Sequence, residues 1–314
     1  MRMTLHTWVL IISITLSVTN GFAQVRQDIG TKVLIPSSAK TSSFTSLLVV
    51  LNLDNQTNLV TITARDTNGT VIGMKNENIA VGGRFRSTDI LGDLGAGLGS
   101  SGPITVESTN GKLLSAISEV STTFQILQNG NSVTTGAAGF FPGVNVDTAW
   151  KAGFIPEVVQ AGNQPAGITH RTNIGINAAS AAASVIVTLY NDSGSQQGSS
   201  TTASVPANGM MQLNSIVSTL LGGTPQGVSD FSGYLKLISD QPIIAWASKI
   251  TNGSNDASFE IGVAAGPTTP ISSFIPENSD PRNELLFVVL GLIAPLLLFL
   301  WQRRKKMEMG LTTA

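Results

Sequence analysis

Through the middle of the chain, apolar residues come in short runs that are β-branched or alternate with polar residues. Residues 47–53 (LLVVLNL), 59–65 (LVTITAR) and 104–108 (ITVES) have this form, and Asn, Gly and Pro bound them. A period of two places alternate side chains on opposite faces of a strand, so these runs predict strands with one buried face. Asn68-Gly69 between two such runs predicts a hairpin, because that pair accepts positive φ. Residues 112–120 and 243–250 are predicted as later strands. Helical periodicity is scarce, and residues 90–98 and 213–221 are each expected to form one short helix or a loop over a sheet edge.

The pattern recurs. Leu34-Ile35-Pro36, Phe154-Ile155-Pro156-Glu157 and Phe274-Ile275-Pro276-Glu277 are spaced by 120 residues. Leu51-Asn52 to Asn68-Gly69 matches Ile176-Asn177 to Ser193-Gly194 at an offset of 125. Gly83 with Ile90 matches Gly209 with Ile216 at 126, and 102–106 matches 233–237 at 131. Ordered matches between fixed landmarks are the mark of an internal duplication. The fold expected is all-β: two tandem β-sandwich repeats of about 120 residues, at 24–153 and 154–277. The third landmark is expected to close the second unit, with Phe154–Glu157 closing or bridging the first. The Gly-, Asn-, Thr- and Ala-rich segment 128–150 is either part of the first unit or a flexible joint.

The two ends read differently. Residues 8–18 form an apolar run behind Arg2, followed by small residues ahead of Gln24. That order describes a signal peptide, residues 1–23, cleaved between Ala23 and Gln24. Residues 285–301 (LLFVVLGLIAPLLLFLW) carry no charge, and at about 1.5 Å per residue they approach the roughly 30 Å of a bilayer core. Arg303, Arg304, Lys305 and Lys306 follow at once as a stop, leaving 302–314 as a basic cytoplasmic tail and 278–284 as a spacer. The expectation is an exported single-pass membrane protein, held in lipid by its C-terminal helix, with 24–284 outside the cytoplasm.

Composition narrows the chemistry. There is no Cys, which excludes disulfides and thiolate sites, and there are two histidines, His6 and His170. Without the two ends the chain has 13 basic and 18 acidic residues, so no basic charge points to nucleic acid. His170 reads as a surface strand residue, with its repeat counterpart near Thr45. The Asp and Glu residues are scattered without a signature. Asp66–Gly69 and Asn252–Asp256 resemble fragments of calcium loops but read as ordinary turns. Gly92–Gly99 is glycine-rich without a phosphate-binding pattern. No cofactor, metal or catalytic residue is expected, and the chain is read as a non-enzyme.

The candidate interaction residues are Arg84, Arg86 and Trp150. Arg84-Phe85-Arg86 in a strand puts both arginines on one face and Phe85 on the other. Trp150, in the joint, is expected to be exposed, and Trp246 to be a core residue. An envelope protein or a surface polysaccharide is the expected partner.

The order of an IP strand, an apolar strand ending in LN or IN, a hairpin with N-G or S-G, and a Gly-led strand is similar to tandem immunoglobulin-like repeats of bacterial secreted and cell-surface proteins. It covers residues 34–277. It implies spacers, adhesion modules or assembly parts, and brings no catalytic residues. Pro276-Glu277 ahead of an apolar run and a basic cluster also resembles bacterial C-terminal sorting signals of the PEP type, although Asn278 stands where a second Pro belongs. That resemblance implies removal of the helix and release as a matrix or adhesion protein. A carbohydrate-binding or carbohydrate-active protein is the third alternative.

Overall fold

The structure is a computed structural model that describes residues 28–128, 131–161, 170–222, 230–251 and 257–266. The signal and its cleavage site Ala23/Gln24, the loop 252–256, the landmark 274–277, the apolar run 285–301 and the basic residues 303–306 lie outside these. Among the described residues no helix is long and apolar enough to cross a membrane.

The described residues are mostly antiparallel β-structure, and their strands belong to one compact unit. In the first half, a five-stranded sheet has the order β4(Val71–Ile79), β3(Asn58–Arg65), β6(Ser100–Ser108), β1(Lys32–Lys40), β9(Val144–Asn145). A four-stranded sheet has the order β5(Arg84–Ser87), β2(Phe44–Asn52), β7(Leu114–Gln128), β8(Asn131–Pro142). Their inner faces share a core of alternating residues, with Ile35, Leu48, Ile62, Ile104 and Leu114 fully buried.

The second half repeats this pairing scheme. β13(Gln196–Val205), β12(Ala183–Asn191), β15(Phe231–Thr251), β10(Trp150–Gln160) and β17(Val263–Ala264) follow one another as the five do. β14(Met210–Leu213), β11(His170–Ala178), β15 and β16(Ala257–Ile261) follow one another as the four do. β15 serves both layers. Its 231–239 stretch pairs with β12 and β10, and 243–251 pairs with β11 and β16. The first half divides this job between β6 and β7. The sequence expectation of two separate strands therefore holds only for the first half.

The landmarks have local causes. Ile35 pairs with Ile104 and Ile155 with Leu235, and in each case the register shifts at the following residues. Pro36 and Pro156 sit in these bulges, where a missing N–H costs no ladder bond. Asp66 Oδ1 accepts from the N–H groups of Asn68 and Thr70, at 2.9 and 2.8 Å. Asn191 Oδ1 accepts in the same way from Ser193 and Ser195, at 3.2 and 2.9 Å. Asp66–Gly69 is thus a side-chain-capped turn. Gly69 and Gly194 have φ of +86° and +78°, which glycine adopts without steric cost.

A cross-layer clamp also recurs. Ala39 N–H donates to Ser46 Oγ, which donates back to Ala39 O, at 2.8 and 3.0 Å. Thr172 Oγ1 does the same with Val159, both at 2.9 Å. The short helices Ile90–Asp93 and Ile216–Leu220 cover matching ends of the two cores. Lys40 Nζ reaches Asp89 Oδ2 beside the first helix at 2.7 Å, and Ser218 Oγ donates to Gln160 Oε1 in the second.

Three expectations are corrected. The described part of 128–150 is not a joint: most of it is β8, paired along its length with β7. Its glycines serve close packing, since a Cβ on Gly139 would lie 2.0 Å from the Phe259 ring. Phe154–Glu157 does not close or bridge the first sheets. It lies within β10, which pairs with β15 and β17. Trp150 is not exposed. It is 8% accessible, opens β10 opposite Ile243 and belongs to the core of the second half.

Candidate functional site

The chemistry concentrates where the second half meets the first. Trp246 lies on β15 opposite Gly175 of β11 and Ile261 of β16. A Cβ on Gly175 would stand 2.0 Å from the indole, so only glycine lets the ring lie across β11. The ring packs into the core of the first half, where Phe141 meets it edge-on with centroids 5.1 Å apart at 84°. Phe259 completes the group, 3.7 Å from Phe141 and 6.0 Å from Trp246.

Polar groups at this seam are paired. The indole N–H donates to Asn177 Oδ1 at 3.1 Å, and Asn177 Nδ2 donates to the Pro36 carbonyl at 2.8 Å. The bulge turns that carbonyl out of the β1–β6 ladder and makes it available. Met210 N–H donates to Thr67 O at 2.9 Å, which seats the turn after β13 on the β3–β4 hairpin. Beside the aromatic group is a cleft of about 390 Å³. Phe44, Val120 and Phe141 line it from the first half, and Arg171, Asn173 and Phe259 from the second. Its walls can bury an apolar group beside one guanidinium. They offer no paired acid and base.

One charged cluster forms that no local sequence signal marks. Lys249 Nζ lies 3.2 Å from Glu260 Oε2 and also binds Glu157. Burial pulls the ammonium down, but the hydrogen bonds and charges of the two carboxylates outweigh it and hold Lys249 above its ordinary pKa. The three residues come from β15, β10 and β16, so only the pairing of distant strands brings them together. Among the described residues, no group of three or more His, Asp and Glu side chains could hold a metal ion.

Arg84 and Arg86 are exposed on β5, opposite Leu51 and Val49, while Phe85 packs against the core below. They form no cluster with Trp150, which is buried in the other half. His170 begins β11 and is exposed. On the outer face of the second half, Tyr190 and Tyr234 stand opposite each other with ring centroids 5.2 Å apart and planes 8° apart. Their faces stack on one another.

No family model matches the chain, and no curated protein matches it. Among solved structures, the crystal structure of Thermotoga maritima 1070 is 12% identical, covering 37% of this chain and 96% of its own, with a TM-score of 0.29. A β-glucuronidase from glycoside hydrolase family 2 is 10% identical, covering 74% of this chain and 24% of its own, with a TM-score of 0.15. The chain therefore spans about a quarter of the β-glucuronidase's length. Likeness at these scores carries no argument about fold or activity.

Proposed function

We propose that this chain is an exported, membrane-anchored, non-enzymatic surface protein. In this reading two tandem immunoglobulin-like β-sandwich modules form a stiff arm with a structural, adhesion or interaction role. The observation that carries the reading is the seam. An aromatic side chain of one module sits in the core of the other, and the polar groups around it are satisfied across the junction. Such a junction resists bending, as a spacer or presenting arm requires, and leaves outer sheet faces and edge strands free for partners. β13 is an uncharged, Ser/Thr-rich edge strand paired only with β12, the kind of edge to which another strand adds.

The Pro276-Glu277 motif, apolar run and basic tail favour a second reading, release after removal of the helix. Intact mass of the native protein, taken separately from membrane and released fractions, tests both. A membrane-bound species of residues 24–314, with the strands open to protease added outside the cell, supports the anchored arm. A species ending near Glu277 in the released fraction replaces it with the matrix reading. A full-length species in the cytosol overturns both.

A further inference from the structure

We propose that the first half binds a second copy of this chain, head to tail, through positions equivalent to those that form the seam. The inference rests on reading the halves as copies of one module and makes no use of export or anchoring.

Strand pairing fixes the equivalence. Val50 pairs with Phe85 and Ala116 as Ile176 pairs with Met211 and Ala245. One step along each strand, Leu51, Arg84 and Ile117 therefore occupy the places of Asn177, Met210 and Trp246. In the second half these three residues hold the first half. In the first half Leu51 and Ile117 are 39% and 40% accessible, and Arg84 is exposed with Arg86 beside it. Among the described residues the docking face thus exists twice and is covered once.

The receiving surface is also present twice. Thr67, Ser37, Val120 and Phe141 at the seam have Asp192, Glu157, Lys249 and Glu260 as their equivalents, from the matching hairpins and from the pairs Ser118–Phe141 and Ala247–Glu260. Asp192 and Glu157 are exposed. Inside the chain the Met210 N–H meets Thr67 O. The same placement between copies sets Arg84 against Asp192, with Arg86 nearby and the Glu157–Lys249–Glu260 cluster on the same side. The docking face carries Arg84 and Arg86 against Glu119, two residues beyond Ile117 on the same side of β7, a net positive charge, and the receiving surface carries three acids against one lysine.

This complementarity names the occupant: the acidic end of another copy. The contact inside the chain is uncharged, built on an indole and hydrogen bonds, whereas the contact between copies is charged, weaker and salt-sensitive. Repeating one rotation head to tail gives an open stack, or a ring if it closes.

The chain has no cysteine, which allows a direct test. Full-length chains carrying Arg84→Cys and chains carrying Asp192→Cys are mixed in detergent and mildly oxidised. Covalent dimers are expected from the mixture, and a ladder from the double variant. Pairing Lys236→Cys, on the other layer, with Asp192→Cys is expected to give neither. In sedimentation, R84E/R86E is expected to weaken self-association by about tenfold or more, and mixing it with D192R to restore it. Circular dichroism and melting establish that each variant is folded. Equal cross-linking by the control pair, or folded wild-type chains that stay monomeric at every concentration and salt, would overturn the proposal. The module reading would survive that result, since it stands on the seam variants below.

Discussion

The two halves pair their strands alike and differ most at the positions around the seam. Val49, Leu51 and Ile117 of the first half become Gly175, Asn177 and Trp246 in the second. Val120, Phe141 and Ser37 become Lys249, Glu260 and Glu157. The inner residues change far less: Ala116 stays Ala245, and the Ser46–Ala39 clamp is kept as Thr172–Val159. The comparison teaches that the pairing scheme and the joining of the halves are separate properties. The scheme is carried by bulges, turns and inner faces. The joining is carried by one glycine, one amide and one indole.

The sharpest way to break the comparison is to truncate the same position in both halves. Trp246 is 2% accessible and shared between the halves, whereas Ile117 is 40% accessible. Trp246→Ala is expected to cost about 3–5 kcal/mol, through lost burial and the cavity left among Phe141 and Phe259. Ile117→Ala is expected to stay within about 0.5 kcal/mol. Urea unfolding of the two variants measures this, and Trp246→Ala should also split one transition into two as the halves uncouple. Equal costs would mean that the seam does not hold the halves together.

Much of the fold is legible in the sequence because its signals are local. Pro36 and Pro156 mark bulges, Asn68-Gly69 and Ser193-Gly194 mark hairpins, and β-branched alternation marks strands. The seam is not legible, because its partners are far apart in sequence and its register is subtle. Matching Leu51-Asn52 to Ile176-Asn177 uses an offset of 125, which holds in the hairpins, but the pairing of β2 and β11 requires 126. A one-residue shift moves a strand residue to the other face, so Asn177 points out to Pro36 and not inward. Trp246 reads correctly as buried, but the core it enters belongs to the other half. Trp150 sits in a glycine-rich setting that suggests exposure, and only the start of β10 there shows why it is buried. Gly175, alone in an apolar strand, was the available hint, since an interior strand glycine marks a close approach.

A middle-sized effect compares the two asparagines. Asn52 Nδ2 donates to Gln56 O, Ile79 O and Ala80 O, all within the first half. Asn177 bridges the halves. Asn177→Ala leaves the indole N–H and the Pro36 carbonyl without partners, at a cost of about 1–3 kcal/mol. Hydrogen exchange should then quicken on both sides of the seam, at β1 and at β11. Asn52→Ala should quicken it only around β2 and the end of β4. Faster exchange confined to β11 in Asn177→Ala would show that the bridge to Pro36 contributes nothing.

The smallest effect separates the tethers of the two short helices. Lys40–Asp89 in the first half is an ion pair, while Gln160–Ser218 in the second is uncharged. Burial pushes the Asp89 carboxyl up, but the Lys40 hydrogen bond, the Gly92 N–H and the Lys40 charge outweigh it, so the pKa lies below its ordinary value. A folded pKa below the unfolded value gives stability that is complete above the unfolded pKa and is lost as pH falls through the folded one. From about pH 5 to about pH 3, amides of residues 92–94 should therefore lose protection relative to 218–221, which have no titrating tether. Both side chains of the pair are partly exposed, so screening keeps the effect below about 1 kcal/mol. Asp89→Asn should remove the pH dependence and leave the second helix unchanged. Equal loss of protection at both helices would trace the acid response to the whole fold and not to the charged tether of the first helix.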